Sequence, residues 1–215
     1  MKRSLTLAAA IAFLMAPAAA QTPQMPGNIP PGLVAPLAPE NIPPGTYEVL
    51  TKETLVRYTV NHEGFSEFWG TFPGATGTLT IDPKAIGATK LDVKIPIWMV
   101  ETTNRELNGE LFSDEFFDAE NYPWMHFVST DVTQTGPRTA KVTGNLTMHN
   151  VTRPVVLNVV FNGAGINPLV PEKELLTLGF NAVGEVKRSD FGLGKYVPIV
   201  GDETTITISA EFSKK

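Results

Sequence analysis

Histidine and cysteine, which bind transition metals through nitrogen and sulfur, are scarce in this sequence. The three histidines are His62, His126 and His149, and none lies in a short ligand spacing such as H-x-H or H-x-x-x-H. Histidines on separate strands can still converge in space, but His126 alternates out of the apolar Met125 and Phe127 face and is expected to face solvent. The chain has no cysteine, which excludes thiolate-bound metals, disulfides and thiol catalysis. We therefore predict no metal site and no cofactor.

Patterns that support catalysis are also missing. The sequence contains no G-x-S-x-G elbow, which is typical of α/β-hydrolases, and no glycine-rich nucleotide loop. Asp114, Glu115 and Asp118 form an acidic cluster, but a solvated helix face explains this cluster better than an acid–base pair does. We predict that the protein is not an enzyme.

One polar stretch, residues 187–192, is a candidate for ligand contact. Arg188 carries a rigid fork of N–H donors that could bind an anionic or carbonyl head group. Alternatively, Arg188 pairs with Asp190 and locks a corner of the fold, while the nearby glycines permit the turn. The sequence leaves both interpretations open.

The overall charge is acidic. Across 215 residues there are 17 basic and 22 acidic side chains, a net charge of −5, and no basic stretch. This composition argues against a nucleic-acid partner. Hydrophobic residues make up 42% of the chain, which is enough for a core.

The N-terminus has the features of an export signal. Lys2 and Arg3 precede an apolar run of about a dozen residues, and Ala18 to Ala20 offer small side chains for cleavage. We predict a signal peptide over residues 1–20 and a periplasmic location. A membrane anchor is the alternative, but the apolar run is too short to span a bilayer comfortably.

Residues 21–46 contain eight prolines and one charge, Glu40. Proline fixes φ and removes backbone donors, so we predict an extended linker here and a single domain over residues 47–215. A recognition motif for a proline-binding partner is the alternative.

Downstream of Tyr47 the hydrophobic period is two, which indicates strands with one apolar face each. At least eight such segments, separated by turn residues, predict an all-β, extended antiparallel barrel of about eight strands. One short helix is expected where Ser113 offers an N-cap and Asp114 and Glu115 follow it. Phe116 and Phe117 would pack this helix on the barrel.

A barrel of this size either fills its interior or holds one small ligand, and alternation does not distinguish the two. An open lumen would favour an apolar chain. The predicted inward-facing residues are Val56, Tyr58, Val60, Val93, Ile95, Phe127, Leu146, Met148, Leu157, Phe161, Phe180 and Ile208.

Eight motifs occur in a fixed order along the chain: 58–62, 70–72, 79–82, 113–118, 122–123, 144–152, 188–192 and 200–203. Together they resemble the YceI-like family over roughly residues 47–215. The resemblance implies a secreted lipocalin-like β-barrel whose hydrophobic lumen holds a polyisoprenoid or similar long-chain amphiphile. It also implies quinone-related or stress-linked roles and a possible partner, a cytochrome b561-like membrane protein. A filled barrel that binds a partner protein, and an enzyme that modifies a lipid, are the alternatives.

The chain departs from the family pattern after Thr102-Thr103-Asn104. Leu107-Asn108 replaces an Arg-Asp pair, and Glu110-Leu111 replaces a His-Leu pair, so the loop near the barrel mouth is altered. The predicted head-group residues at the mouth are Asn104, His149, Arg188 and Asp190.

Overall fold

The computed structural model describes residues 37–168 and 174–214. The predicted signal peptide and most of the predicted linker lie outside the described residues. The strands and the α-helix are β1 (Gly45–Val49), β2 (Leu55–His62), β3 (Ser66–Phe72), β4 (Thr76–Ile81), β5 (Lys90–Pro96), α1 (Arg105–Phe112), β6 (Trp124–Gly136), β7 (Thr139–Met148), β8 (Val151–Ile166), β9 (Leu176–Lys187) and β10 (Val200–Ser213). Short 3-10 helices cover Pro39–Asn41, Ile86–Ala88, Ile97–Met99 and Arg188–Phe191.

Eight antiparallel strands close into a barrel. β4 to β10 pair in sequence order, and β1 completes the ring because it pairs with both β4 and β10. Toward the other end β10 pairs with β2 and β2 pairs with β3, while Thr71 of β3 bridges Glu101 beyond β5. This confirms the predicted closed barrel of about eight strands with one short helix.

The sequence correctly predicted one short helix in this region, but it placed the start of that helix too far along the chain. α1 ends at Phe112, and Ser113 is its C-cap rather than its N-cap. Asn104 caps the N-terminus, because its side-chain oxygen accepts hydrogen bonds from the backbone N–H of Glu106 and Leu107 at 3.0 and 3.2 Å. The helix thus lies upstream of the acidic cluster.

Ordered packing also begins before the predicted boundary at Tyr47. The backbone N–H of Leu37 donates to the carbonyl of Ala164 at 2.8 Å, and Ile42 is buried. β1 starts at Gly45, directly after two prolines that cannot donate to a sheet. The proline-rich segment therefore contributes to the barrel from at least Leu37.

The two ends of the barrel differ. At one end, buried side chains including Tyr47, Leu178 and Phe212 form a compact apolar cluster, and the Tyr47 hydroxyl donates to the Pro43 carbonyl at 2.6 Å. The opposite end carries the β2–β3 hairpin, α1 and residues 188–199. We refer to this second end as the mouth.

Candidate functional site

The barrel encloses two adjoining cavities. The inner chamber has a volume of about 250 Å³ and a wall that is almost wholly apolar. Strands of the closed ring supply most of this wall. The side chains that carry its apolar character include Val56, Leu79, Leu91, Val93, Ile95, Phe127, Val132, Leu157, Val159, Phe161, Phe180, Ile208 and Phe212.

The outer chamber lies between the inner chamber and the mouth, with a volume of about 560 Å³. Its wall combines strand residues such as Tyr58 and Val60 with α1 and the loop that contains Lys195 and Tyr196. Both chambers share five wall residues: Phe72, Met125, Leu146, Val186 and Ile206. This shared ring makes the chambers two parts of one elongated lumen.

All twelve residues predicted to face inward line one of the chambers. Nine border the inner chamber, Leu146 among them, while Tyr58, Val60 and Met148 border the outer chamber. The period-two pattern therefore predicted which side chains form the wall of the lumen.

Glycines opposite large side chains let those side chains lie flat against the wall. A Cβ at Gly144 would stand 2.3 Å from the ring of Phe127, and one at Gly184 would stand 2.7 Å from Leu157. Gly70 pairs directly with Tyr58, whose ring would lie 2.8 Å from an added Cβ. Substituting these glycines would push the large neighbours toward the lumen.

Tyr58 brings a polar group into the outer chamber. Burial raises the pKa of its hydroxyl to about 12, so the group stays protonated at neutral pH. Its ring packs at 5.5 Å from Phe72 of the shared ring. A protonated hydroxyl in this position can donate a hydrogen bond to a carbonyl or hydroxyl of a ligand.

Arg188 locks the fold at the mouth. Its guanidinium borders the outer chamber but donates to four backbone carbonyls, those of Leu193, Lys195, Val200 and Gly201, at 2.5 to 2.8 Å. Burial is the main reason that its pKa is lowered. This is the corner-locking role that the sequence allowed, with backbone carbonyls in place of the expected carboxylate.

Asp190 does not supply that carboxylate. Its side chain is exposed, and among the described residues no ion pair joins it to Arg188. Asp202 takes the structural role instead, because its carboxylate accepts hydrogen bonds from the Ser189 hydroxyl and backbone N–H at 2.7 and 2.8 Å. These hydrogen bonds, led by that from the hydroxyl, lower the pKa of Asp202.

The other two predicted head-group residues also have structural contacts. Asn104 borders the outer chamber, but its side-chain oxygen caps α1. His149 lies at the mouth end in the turn between β7 and β8, with its Nδ1 3.1 Å from the Phe191 carbonyl and its ring edge-on to Tyr122. His149 does not line either chamber.

A cluster of charged and aromatic side chains at the mouth was not predicted from the sequence. Lys195 Nζ donates to Glu110 at 3.0 Å and to Glu115 at 2.5 Å, and the Tyr196 hydroxyl donates to Glu110 at 2.9 Å. The ammonium also lies 5.2 Å from the ring centre of Phe116. We call these five residues the mouth latch, because they join α1 and the segment after it to the loop after β9.

The latch lies where the sequence departs from the pattern of the family that it resembles. Glu110 occupies a position at which the pattern has histidine, and this departure was the one signal that could have directed attention to it. Hydrogen bonds that Glu110 accepts from Lys195 and Tyr196 lower the pKa of Glu110, and the hydrogen bonds that Lys195 donates to Glu115 and Glu110 raise the pKa of Lys195. The mouth of this chain is therefore held by charged groups of its own.

Within residues 37–168 and 174–214, no group of three or more histidine or acidic side chains is placed to hold a metal ion. No helix among the same residues has the length and apolar character needed to cross a membrane.

A closed antiparallel barrel with an elongated apolar lumen defines a lipocalin-like architecture. The model of the YceI-like domain matches residues 47–212. A UPF0312 protein of Pseudomonas savastanoi pv. phaseolicola is 36% identical over 148 residues, which cover 67% of this chain and 75% of that protein. The chain belongs to the YceI-like family.

Solved structures agree on the fold. BcnA of Burkholderia cenocepacia matches with a TM-score of 0.67 at 23% identity, covering 76% of this chain and 98% of BcnA. A domain from Saccharophagus degradans, described as a polyisoprenoid binding domain implicated in plant cell wall breakdown, matches with a TM-score of 0.56 at 12% identity. That match covers 79% of this chain and 98% of the domain.

Proposed function

We propose that this protein binds and carries a long-chain amphiphilic lipid of the polyisoprenoid or isoprenoid-quinone type in the periplasm. The observation that carries the proposal is the elongated lumen: an apolar inner chamber continues into a larger outer chamber at the mouth. The apolar tail occupies the inner chamber, and the polar head lies in the outer chamber near Tyr58. The polyisoprenoid-binding description of the Saccharophagus degradans domain, which shares this fold, supports the same ligand class.

Burial of the tail supplies most of the binding free energy. Each methylene removed from water contributes about 0.8 kcal/mol, so ten of them contribute roughly 8 kcal/mol before the cost of association is subtracted. The polar groups near the head are mostly engaged within the protein, as Arg188 and Asn104 show. Affinity therefore depends chiefly on tail length and on the shape of the inner chamber.

The mechanism is binding without bond chemistry. The open lumen favours this function over the filled-barrel alternative, which requires a packed interior. Two charged side chains at the mouth have structural partners: Lys195 is held by Glu110 and Glu115, and Asp202 is held by Ser189. A role in stress response and a cytochrome b561-like partner stay predictions of the family resemblance.

The test is mass spectrometry of an organic extract of the purified protein, prepared from an expression host and from the native organism. We expect one long-chain lipid at near-stoichiometric amount in the native preparation. Periplasmic location is checked in the same experiment by fractionating the cells before purification. Protein that carries no lipid from either source, with its barrel folded, would exclude the carrier function.

A further inference from the structure

Exposed aromatic side chains are concentrated at the mouth. Among the described residues, six aromatic side chains are exposed, and the large exposed apolar side chains elsewhere on the barrel are aliphatic. Five of the aromatics lie in the loops, the helix and the strand ends at the mouth, and the sixth, Trp69, lies on β3 close to them. The six are Phe65, Trp69, Trp98, Phe112, Trp124 and Tyr196.

Two of the exposed apolar side chains project from adjoining loops. Phe65 is 87% exposed at the tip of the β2–β3 hairpin, and Ile199 is 65% exposed just before β10. The Glu63 backbone N–H donates to the Ile199 carbonyl at 3.1 Å, so the two loops are joined. We call Phe65 and Ile199 the prongs.

The hairpin that carries Phe65 is an ordered turn. Glu63 and Gly64 both have positive φ, at 56° and 73°, and the Phe65 N–H closes the turn on the His62 carbonyl at 3.0 Å. The side chain of Asn61 accepts a further hydrogen bond from the Gly64 N–H at 2.8 Å. The turn therefore holds Phe65 in water at a fixed position, where an apolar side chain gains nothing from the folded protein itself.

The prongs stand beside the opening of the lumen. His62 and Val200, the chain neighbours of the two loops, line the outer chamber, and Tyr196 is both exposed and part of that wall. A surface on which the prongs lie would therefore face the outer chamber directly.

The chemistry of this end fits a lipid bilayer. Tryptophan and tyrosine favour the boundary between lipid head groups and acyl chains, and isolated apolar side chains on turns insert there easily. A flat protein partner would instead require a broad complementary patch.

The charged side chains around the prongs indicate whether the bilayer is neutral or anionic. Glu63, Glu67, Asp202 and Glu203 flank them, against two basic side chains that face these carboxylates: Lys187, opposite Glu203 on the neighbouring strand, and Arg188, close to Asp202. The nearby Lys195 is already held by two glutamates. This excess of carboxylates would be repelled by anionic lipid, so a neutral surface is the better match.

We infer that the mouth docks on a zwitterionic lipid bilayer by inserting Phe65 and Ile199, which aligns the lumen with the acyl chains from which its cargo enters. This inference rests on the proposed function, since a carried lipid must be exchanged with a membrane. Docking places the outer chamber against the bilayer, so the tail need not cross water.

The test is co-sedimentation of the full chain with phosphatidylcholine vesicles that contain no isoprenoid. The variant Phe65→Ser/Ile199→Ser removes the prongs, and Val156→Ser/Val183→Ser removes two exposed aliphatic side chains from the barrel wall as the matched control. We expect at least a tenfold loss of vesicle binding for the first pair and less than a twofold change for the second. All preparations share one N-terminus, determined by mass spectrometry, so any contribution of residues 1–36 cancels.

Vesicle composition tests the charge argument. Replacing a third of the phosphatidylcholine with phosphatidylglycerol should weaken binding severalfold at low salt, and added salt should restore it. Tighter binding to the anionic vesicles would overturn the assignment of a neutral bilayer.

Lipid content of the same preparations separates this inference from the proposed function. Wild-type protein that carries lipid but does not sediment with vesicles would overturn docking and leave the carrier function standing. Sedimentation that depends on Phe65 and Ile199, in protein that carries no lipid whether prepared from the expression host or from the native organism, would support docking and exclude the carrier function. Equal sedimentation of the prong variant and wild type would overturn the docking inference.

Discussion

The inner and outer chambers differ in what forms their walls. Strand side chains in fixed register surround most of the inner chamber, and almost none of them are polar. The outer chamber is instead closed partly by α1 and by a loop, and the charged mouth latch joins these two segments. A wall of paired strands changes shape only if the barrel opens, whereas a latch of partly exposed ion pairs costs less to open. The inner chamber is therefore suited to select a tail, and the outer chamber to admit and release it.

The largest expected effect comes from a charge in the inner chamber. Phe127→Asp places a carboxylate without a partner in an apolar wall, which costs several kcal/mol, and we expect retained lipid to fall at least about tenfold. Mass spectrometry of the extract measures this, and circular dichroism checks that the barrel has folded.

The neighbouring position supplies the control for that experiment. Val128 lies next to Phe127 on β6 but is exposed, so Val128→Asp adds the same charge outside the lumen. Its lipid content should match that of the wild type. Equal losses in the two variants would show that a surface charge on β6, rather than the lumen, determines retention.

The sequence predicted the walls of both chambers better than it predicted the polar groups. Alternation identifies the face on which a side chain lies, so residues such as Phe127 and Leu157 were placed correctly. The free space beside them depends on cross-strand register, because Gly144 and Gly184 leave room only where they face a large neighbour. One strand read alone does not contain that information.

The polar groups at the mouth illustrate a different limit. Arg188 binds carbonyls from four residues that come together only when the strand ends and the following loop fold, and the backbone carries no residue-type signal. The helix boundary failed for a local reason, since Asn104 and Ser113 are both good caps followed by acidic residues. Packing of the segment between Asn104 and Ser113 decides which of the two residues begins the helix, and the local sequence does not show that packing.

The next largest expected effect is a loss of stability, and it comes from substituting Arg188 at the mouth. Arg188→Ala leaves four carbonyls without their donor, and we expect the free energy of unfolding to fall by about 2–4 kcal/mol. Urea denaturation measures the loss. The exposed neighbour Lys187 serves as the control, and Lys187→Ala should cost less than about 0.5 kcal/mol. A stable Arg188→Ala variant with altered lipid selection would instead support a head-group role.

A substitution at Gly144 tests how closely the wall of the inner chamber fits the lipid tail. Gly144→Ala forces the Phe127 ring toward the lumen and also crowds the backbone carbonyl of Val128, which lies 2.7 Å from the added Cβ. Overpacking of this kind costs about 1–3 kcal/mol. We expect the retained lipid to shift toward shorter tails. Gly179 on β9 is the matched control, because an added Cβ meets nothing closer than 3.8 Å. Tail lengths that stay the same in the Gly144 variant would mean that Phe127 does not limit the chamber.

The smallest effect concerns the mouth latch, and it depends on pH. Hydrogen bonds from Lys195 and Tyr196 lower the pKa of Glu110 below its ordinary value of 4.5, so the stabilisation is present above that pH and lost as the pH falls through the shifted pKa. Lys195 has a raised pKa, so its contribution is complete below its ordinary value of 10.5 and is lost only at more alkaline pH. The latch should therefore be closed at neutral pH and loosen in acid.

Hydrogen exchange of the α1 amides measures this opening. We expect exchange, corrected for its intrinsic pH dependence, to increase a few-fold in the wild type as the pH falls below 4.5 and through the lowered pKa of Glu110, since a partly exposed ion pair contributes little free energy. Glu110→Gln should show that increase already at pH 7, while Glu120→Gln removes an exposed carboxylate outside the latch and should behave as the wild type. The amides of β7 and β8 around the inner chamber should stay protected in every case, because their hydrogen bonds close the barrel. Acid-induced exchange that spread equally to β7 and β8 would show one cooperative unit, and the division of the lumen into a fixed inner chamber and an adjustable outer chamber would then be wrong.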